Sequence, residues 1–309
     1  MPQNVYVIPQ NTIEEMKRFY ANALQSTPQG AIFRAKTSNA VITAYKSGKV
    51  MFQGNAPAVE AEKWTNKAKE SPKAAPKTNK LNTYSPPDTL FNSNHIGSDE
   101  AGTGDYFGPI TVAAVFVKKE QIELLKVLGV KDSKNLTDST IRKISKDIIN
   151  LDLPYSLLIL HNEKYNKLQK QGWTQGKMKA MLHHHAINNL LNKIGTNSAD
   201  GILIDQFCEP AVYKKHIATE KQKLADNTYF MTKAESYSIA VAAGSIIART
   251  SFLSEMDKLS AKTGITLPKG ASKKVDQTIA RIIKSKGEKA LHSYAKTHFA
   301  NTKKAKSYL

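Results

Sequence analysis

The sequence predicts an α/β protein, a sheet flanked by helices, preceded by a small α+β unit. Three observations carry that expectation. From residue 93 onward, apolar strand-like runs alternate with helical stretches. Within residues 1–66, short alternating runs stand at hairpin spacing. Between them, residues 67–92 (KAKESPKAAPKTNKLNTYSPPDTLFN) hold four prolines and five lysines with little apolar content, the composition of a linker. The expected division is therefore 1–66, 67–92 and 93–309.

In the first unit VYVIP reads as a short strand. Residues 12–25 read as a helix: Thr12 is placed to cap, Glu15 follows three residues later, and Ile13, Met16, Phe19, Tyr20 and Leu24 share one face. AIFRAK, NAVITAYK and KVMFQG alternate, separated by turn residues at Ser38-Asn39 and Ser47-Gly48. A last helix over 57–68 starts at Pro57. In the second unit HIGSDEAG is a strand running into a glycine-rich turn, and ITVAAVFV, LPYSLLIL and GILIDQF are further strands. Helices are expected at about 119–128, 138–149 and 176–194, followed by a small-residue helix at about 236–258.

The chain has 309 residues, with 45 Lys and Arg against 26 Asp and Glu, a net charge of +19. That excess repels itself unless a polyanion answers it, and nucleic acid is the usual one; a basic surface kept for solubility is the alternative. A single cysteine, Cys208, excludes a disulfide framework and a cysteine-rich zinc site, and fits a reducing, cytoplasmic setting. No run of 18 apolar residues and no secretory signal pattern is visible, so no membrane partner is expected. Gly102, Gly104 and Gly108 miss the dinucleotide spacing and precede a strand rather than a helix. The ATPase phosphate loop, GxSxG and HExxH are absent.

Carboxylates stand where chemistry would need them. Asp99 and Glu100 close a strand before Ala-Gly-Thr-Gly, which is either turn chemistry or a site for a hard cation. Asp205 ends the apolar Ile202-Leu203-Ile204 run, at the carboxyl end where α/β sheets place sites, or simply closes the strand. Glu235 forms a capping-box pattern with Thr232 or belongs to the same site. Lys134 faces a phosphate, a site carboxylate or solvent. His183, His184 and His185 are consecutive on a helix and point three ways, which is no metal site; one partly buried ring and two solvated ones are expected. Four carboxylates brought together would be costly without cations, and two divalent ions about 4 Å apart would offset them and act on a phosphodiester.

GSDEAGTGDYFGPITVAAVFV, KDSKNLT, ILIDQF and KAES with SIAVAAGSIIAR resemble, in that order, the type-2 ribonucleases H. The resemblance implies a ribonuclease H-like fold with a mixed central sheet. It also implies hydrolysis of the RNA strand of RNA–DNA hybrids with Mg2+ or Mn2+, two ions per site, leaving 5′-phosphate and 3′-hydroxyl. It makes Asp99, Glu100, Asp205 and Glu235 the catalytic, metal-binding carboxylates. Gly102, Thr103 and Gly104 would meet the RNA strand, with Lys134 as a further substrate contact. Three features resemble ribonuclease HIII rather than HII: Gly-Thr-Gly in place of Gly-Arg-Gly, Glu235 in place of Asp, and no tyrosine in Lys269-Gly270-Ala271-Ser272. The HIII branch also carries an N-terminal domain resembling half of the TATA-box-binding protein, and Ser47-Gly48-Lys49 with Gly54 resembles its strand-turn motif. The alternatives are HII-like cleavage at single embedded ribonucleotides and a hybrid-binding protein without catalysis. Phe33, Tyr45 and Phe52 are expected either in the small domain's core or as flat contact surface. A monomer suffices for one site per chain.

Overall fold

The computed structural model describes residues 3–28, 30–65, 83–131, 133, 136–195 and 198–309. The chain divides into two compact units, Met1–Lys80 and Leu81–Leu309. Of the segment read as a linker, residues 67–82 lie outside the described residues, while Leu90 is buried and Tyr84 O accepts from Phe230 N within the second unit.

The first unit comprises β1 (Gln3–Val7), α1 (Gln10–Phe19), β2 (Leu24–Gln25), β3 (Ala31–Lys36), β4 (Val41–Tyr45), β5 (Lys49–Gln53) and α2 (Pro57–Thr65). Its antiparallel sheet has the order β1-β5-β4-β3-β2. Period-two alternation buries Phe33, Ala35, Ile42, Ala44, Val50 and Phe52 with Ile13, Met16 and Trp64 of the helices. Phe33 and Phe52 are therefore core residues, and Tyr45 and Arg34 belong to the opposite face. The expected helix over 12–25 begins two residues earlier, behind Pro9, and stops at Phe19. The chain then turns so that Leu24 joins the sheet edge, leaving Phe19 and Leu24 exposed.

One buried polar cluster braces this unit. Glu60 accepts from Tyr20 Oη (2.8 Å), Lys63 Nζ (2.9 Å) and Asn39 Nδ2 (3.2 Å), and Trp64 Nε1 donates to Tyr20 Oη at 2.8 Å. Burial alone would raise the Glu60 carboxyl, but its hydrogen bonds and the Lys63 charge hold it below its usual range.

The second unit contains β6 (His95–Ala101), β7 (Ile110–Val117), α3 (Ile122–Val127), α4 (Asp138–Asn150), β8 (Tyr155–Leu160), α5 (Asn162–Lys170) and α6 (Gln175–Ile194). β9 (Gly201–Asp205), α7 (Pro210–Ala218), β10 (Thr228–Met231), α8 (Ile239–Thr263), α9 (Lys273–Lys286), α10 (Leu291–Tyr294) and α11 (Asn301–Lys304) follow. The sheet order is β10-β9-β6-β7-β8, antiparallel between β6, β7 and β8 and parallel between β6, β9 and β10. It is the mixed, helix-flanked sheet that the resemblance implies. β7 is buried along its whole length because helices cover both faces, α8 with α4 on one and α6 with α7 on the other.

α8 lies unusually close to the sheet. A Cβ on Gly97 of β6 would stand 2.1 Å from Val241 N, and one on Gly244 of α8 would stand 3.1 Å from Ala113 O. Small residues along the helix are what permit this approach. α8 is long and apolar enough to cross a membrane by length and composition, yet 72% of that window is buried inside the protein, as befits a core helix. It starts at Ile239 rather than 236 because Ser238 caps it, accepting from Val241 N at 3.2 Å. Thr232 and Glu235, expected to cap this helix, lie before its start, and Ser238 is its cap instead.

Two outcomes follow. Gly97→Ala is expected to destabilise the second unit by about 3 kcal/mol or more, read from denaturant unfolding, since backbone rather than a flexible side chain blocks the new methyl. Glu60→Gln is expected to cost the first unit about 1–3 kcal/mol at neutral pH. With the folded value depressed, the Glu60 contribution is complete above the unfolded pKa and is lost as pH falls through the folded one. The wild-type and Gln curves should therefore converge in acid.

Candidate active site

The register of the central sheet builds the site. β6 and β9 run parallel, and Ser98 pairs with Ile204. Asp99 and Asp205 thus emerge side by side at the carboxyl ends of adjacent strands. Successive strand residues point to opposite faces. Asp99 therefore turns toward α8, where Ser245 hydrogen-bonds it, and Glu100 turns toward α6. Glu235 arrives by a third route. Lys233, in the left-handed region at φ 58°, leads into a tight turn over Ala234–Ser236, and Asp205 Oδ1 pins that turn by accepting from Ala234 N at 2.8 Å. Glu235 is buried and shares a hydrogen bond with Asp205.

The four carboxylates predicted from sequence are thus brought to one end of the sheet. Asp99, Glu100 and Asp205 line a cavity of about 460 Å³ together with Gly102, Thr103, Gly104, Ser133, Asp138 and Arg249. Lys134 lies outside the described residues.

The electrostatics are uneven. Burial pushes the Asp99 carboxyl well above its usual value, and the Glu100 and Asp205 charges push it further. Burial and the neighbouring Glu235 raise Asp205 to about 6. A hydrogen bond between two carboxyl groups needs one proton, which agrees with that rise. Glu100 goes the other way. Burial opposes ionisation, but His183 and Lys179 outweigh it and hold Glu100 at about 2.

Sequence reasoning missed this pair. Lys179 Nζ lies 2.8 Å from Glu100 Oε1 and 4.0 Å from the Phe207 ring centroid. His183 Nε2 lies 2.9 Å from Glu100 Oε2, its Nδ1 lies 2.7 Å from Ser98 Oγ, and its ring stacks on Phe207. An ionised carboxylate only accepts, so Nε2 carries the proton and, in the neutral ring, Nδ1 accepts from the Ser98 hydroxyl. Of the three histidines, two are buried, His183 and His184, and only His185 is exposed, which corrects the expectation of one. The available signal was spacing: Lys179 and His183 stand four apart on one helix, facing a strand whose every second residue is Ser98 or Glu100.

Among the described residues no three His, Cys, Asp or Glu side chains already converge as a single ligand shell, and protein donors occupy Glu100 and Asp205. The donor set nonetheless fits a hard divalent cation. It is all oxygen, and at Asp99 and Asp205 it is more negative than the protein's own donors neutralise.

The sheet, the helices on both its faces and the carboxylates at its end define a nuclease of the ribonuclease H class. The ribonuclease HII family matches residues 96–302, and a domain of unknown function matches residues 3–77. The chain belongs to the ribonuclease HII family, whose members are divalent-metal-dependent hydrolases of RNA. It is 61% identical to ribonuclease HIII of Oceanobacillus iheyensis over the whole of both chains. It is 54% identical to that of Bacillus licheniformis, over 99% of this chain and 98% of the relative. The crystal structure of Bst-RNase HIII in complex with Mn2+ superposes with a TM-score of 0.68 at 41% identity, covering 99% of this chain and 98% of that one.

The crowding has a measurable consequence. Asp99→Asn keeps a side chain able to accept from Glu100 N and Ser245 while removing the cost of either protonating the carboxyl or burying it ionised. In EDTA at neutral pH the variant is expected to be more stable than the wild type by about 1–2 kcal/mol, seen as a raised Tm. An unchanged or lowered Tm would show that Asp99 is not under electrostatic strain.

Proposed function

We propose that the chain is an endoribonuclease that hydrolyses the RNA strand of RNA–DNA hybrids, leaving 5′-phosphate and 3′-hydroxyl ends. The observation that carries this reading is the meeting of Asp99, Glu100 and Asp205, with Glu235 bonded to Asp205, beside the Gly102-Thr103-Gly104 turn. In it, Asp99, Glu100, Asp205 and Glu235 are the metal ligands, with Asp99 the most central. Two Mg2+ or Mn2+ ions held there would supply an activated water and stabilise the leaving 3′ oxygen.

The chain's own groups support the rest. Lys179 and His183 keep Glu100 ionised and oriented, so it is ready to ligate. Asp99 and Asp205 give up protons readily once a cation relieves their repulsion. Two glycines of the turn differ in a telling way. Gly102 has φ +87°, and a Cβ there would stand 2.3 Å from Pro109 O, so the fold itself demands glycine. Gly104 has no such φ, and a Cβ there would meet nothing within 4 Å. Its small size answers no need of the fold, which suits close backbone approach by a ligand. A 2′-hydroxyl is the group that distinguishes RNA there. The absence of tyrosine from Lys269–Ser272 supports continuous hybrid over a single embedded ribonucleotide as substrate. The first unit and the lysine-rich segment after it would hold the duplex by phosphate contacts, in keeping with the +19 charge. Lys134 remains a proposed substrate contact. A monomer acting in the cytoplasm fits the one carboxylate cluster per chain and the lone Cys208.

The test is cleavage of an end-labelled RNA–DNA hybrid with Mg2+, Mn2+ or EDTA. Only the RNA strand should be cut, and only with metal. Asp99→Asn should lower kcat at least about a hundredfold while binding the hybrid. A wild type that binds hybrid and never cuts it would sink the proposal. Equal cutting of duplexes with one and with four ribonucleotides would favour HII-like specificity.

A further inference from the structure

Lys296 is buried to 0% exposure, and among the described residues no carboxylate forms a direct ion pair with it, although the Asp105 charge acts on it. Its Nζ donates to two backbone carbonyls, Asp105 O at 2.8 Å and Gly108 O at 2.6 Å. Both belong to the turn that leaves β6. A lysine in a dry interior is costly even with the Asp105 charge favouring its ammonium, so a structural role alone is an expensive way to satisfy two carbonyls. Gly108 O already accepts from Asn162 Nδ2 at 2.8 Å. On the other side of the turn, Gln175, at the start of α6, donates from Nε2 to Thr103 O at 3.1 Å. Between these two clamps, Asp105 Oδ1 accepts from Gly270 N (2.6 Å), and Tyr106 N donates to Gly270 O (2.9 Å).

We propose that Lys296 and Gln175 are positioning residues that hold the Gly102–Gly108 turn in the shape that reads the RNA strand. This rests on the reading above that the turn meets RNA. A peptide whose carbonyl is held from behind presents its N–H and neighbouring backbone forward in one orientation. Here the carbonyls of Thr103, Asp105 and Gly108 are all held from within the protein. The start of α6 and the distant C-terminal segment thus converge on a single turn. Two donors suffice for Lys296's two carbonyls. Burial brings its ammonium down to about 7, and a neutral amine still carries two N–H groups, so the clamp does not depend on its charge.

The test is binding by fluorescence anisotropy, in EDTA, of an RNA–DNA hybrid and of a DNA duplex of the same sequence. It uses the full chain as wild type, Lys296→Met, Gln175→Leu and Gly104→Ala. The wild type should prefer hybrid. Lys296→Met and Gln175→Leu should each cut that preference about fivefold or more by loosening contacts to 2′-hydroxyls, with DNA affinity within about twofold. Calorimetric Mn2+ affinity should be unchanged, which a general loss of structure would not allow. If Lys296→Met fails to fold, Gln175→Leu, only half-buried, decides. If Gly104→Ala loses the preference and both clamp variants keep it, the turn reads RNA without them and the proposal falls. If Gly104→Ala keeps the preference, or the wild type has none, the reading beneath the proposal fails.

Discussion

Asp99 and Asp205 leave adjacent parallel strands at the same level, and β-sheet geometry forces their carboxylates together. Burial raises both carboxyls, and each charge opposes ionisation of the other. The surrounding structure divides the load. Glu100 is turned to the other face of β6 and neutralised by Lys179 and His183. Asp205 shares a hydrogen bond with Glu235. Asp99 is left with donors that are only dipoles, Ser245 and the Glu100 amide. In the metal-free protein Asp99 therefore resists ionisation, and a divalent cation is what lifts that resistance.

Holding that arrangement requires a stiff support, and α8 supplies it. The helix approaches β6 and β7 until only glycine fits at Gly97. That closeness places Ser245 on Asp99 and Thr111 Oγ1 on Ala248 O at 2.8 Å. Further along, Phe252 and Met256 press on Gly102 and Gly108, where an added Cβ would stand 2.7 Å and 2.6 Å from their atoms. One helix therefore sets both the carboxylate end of the sheet and the back of the glycine turn. The small-residue run that reads oddly for a surface helix is the price of this contact.

The strands were legible because their apolar runs are short, bounded by turn residues and either alternating, as in β3 and β5, or continuous, as in β7. Asp99 and Asp205 drew notice because strand ends are where α/β sheets place sites, whereas Glu235 read locally as a cap and joined them through the resemblance to type-2 ribonucleases H. What escaped was long-range. Nothing local in Lys179 or His183 announces a carboxylate 79 or 83 residues away. The start of α8 escaped because Thr232-x-x-Glu235 satisfies the local capping pattern, while the tertiary bond between Ser238 Oγ and His95 Nε2 at 2.7 Å fixes the cap elsewhere. The end of α1 escaped because Leu24 continues the helical apolar period yet pairs with Ala35 in the sheet.

The two buried lysines of the second unit show how environment sorts identical side chains into different work. Lys179 meets a carboxylate and an aromatic face, and its positive charge helps to hold Glu100 ionised. Lys296 meets two carbonyl dipoles and the face of Tyr165, and burial lowers its proton affinity although the Asp105 charge opposes that. The first balances the charge of Glu100 and keeps it ionised. The second cannot balance charge reliably, but it supplies directed donors from a place no solvent reaches. A site that must admit cations on one side and present a rigid backbone on the other has use for both, and the sheet keeps them apart by directing Glu100 toward α6 and the glycine turn toward the C-terminal segment.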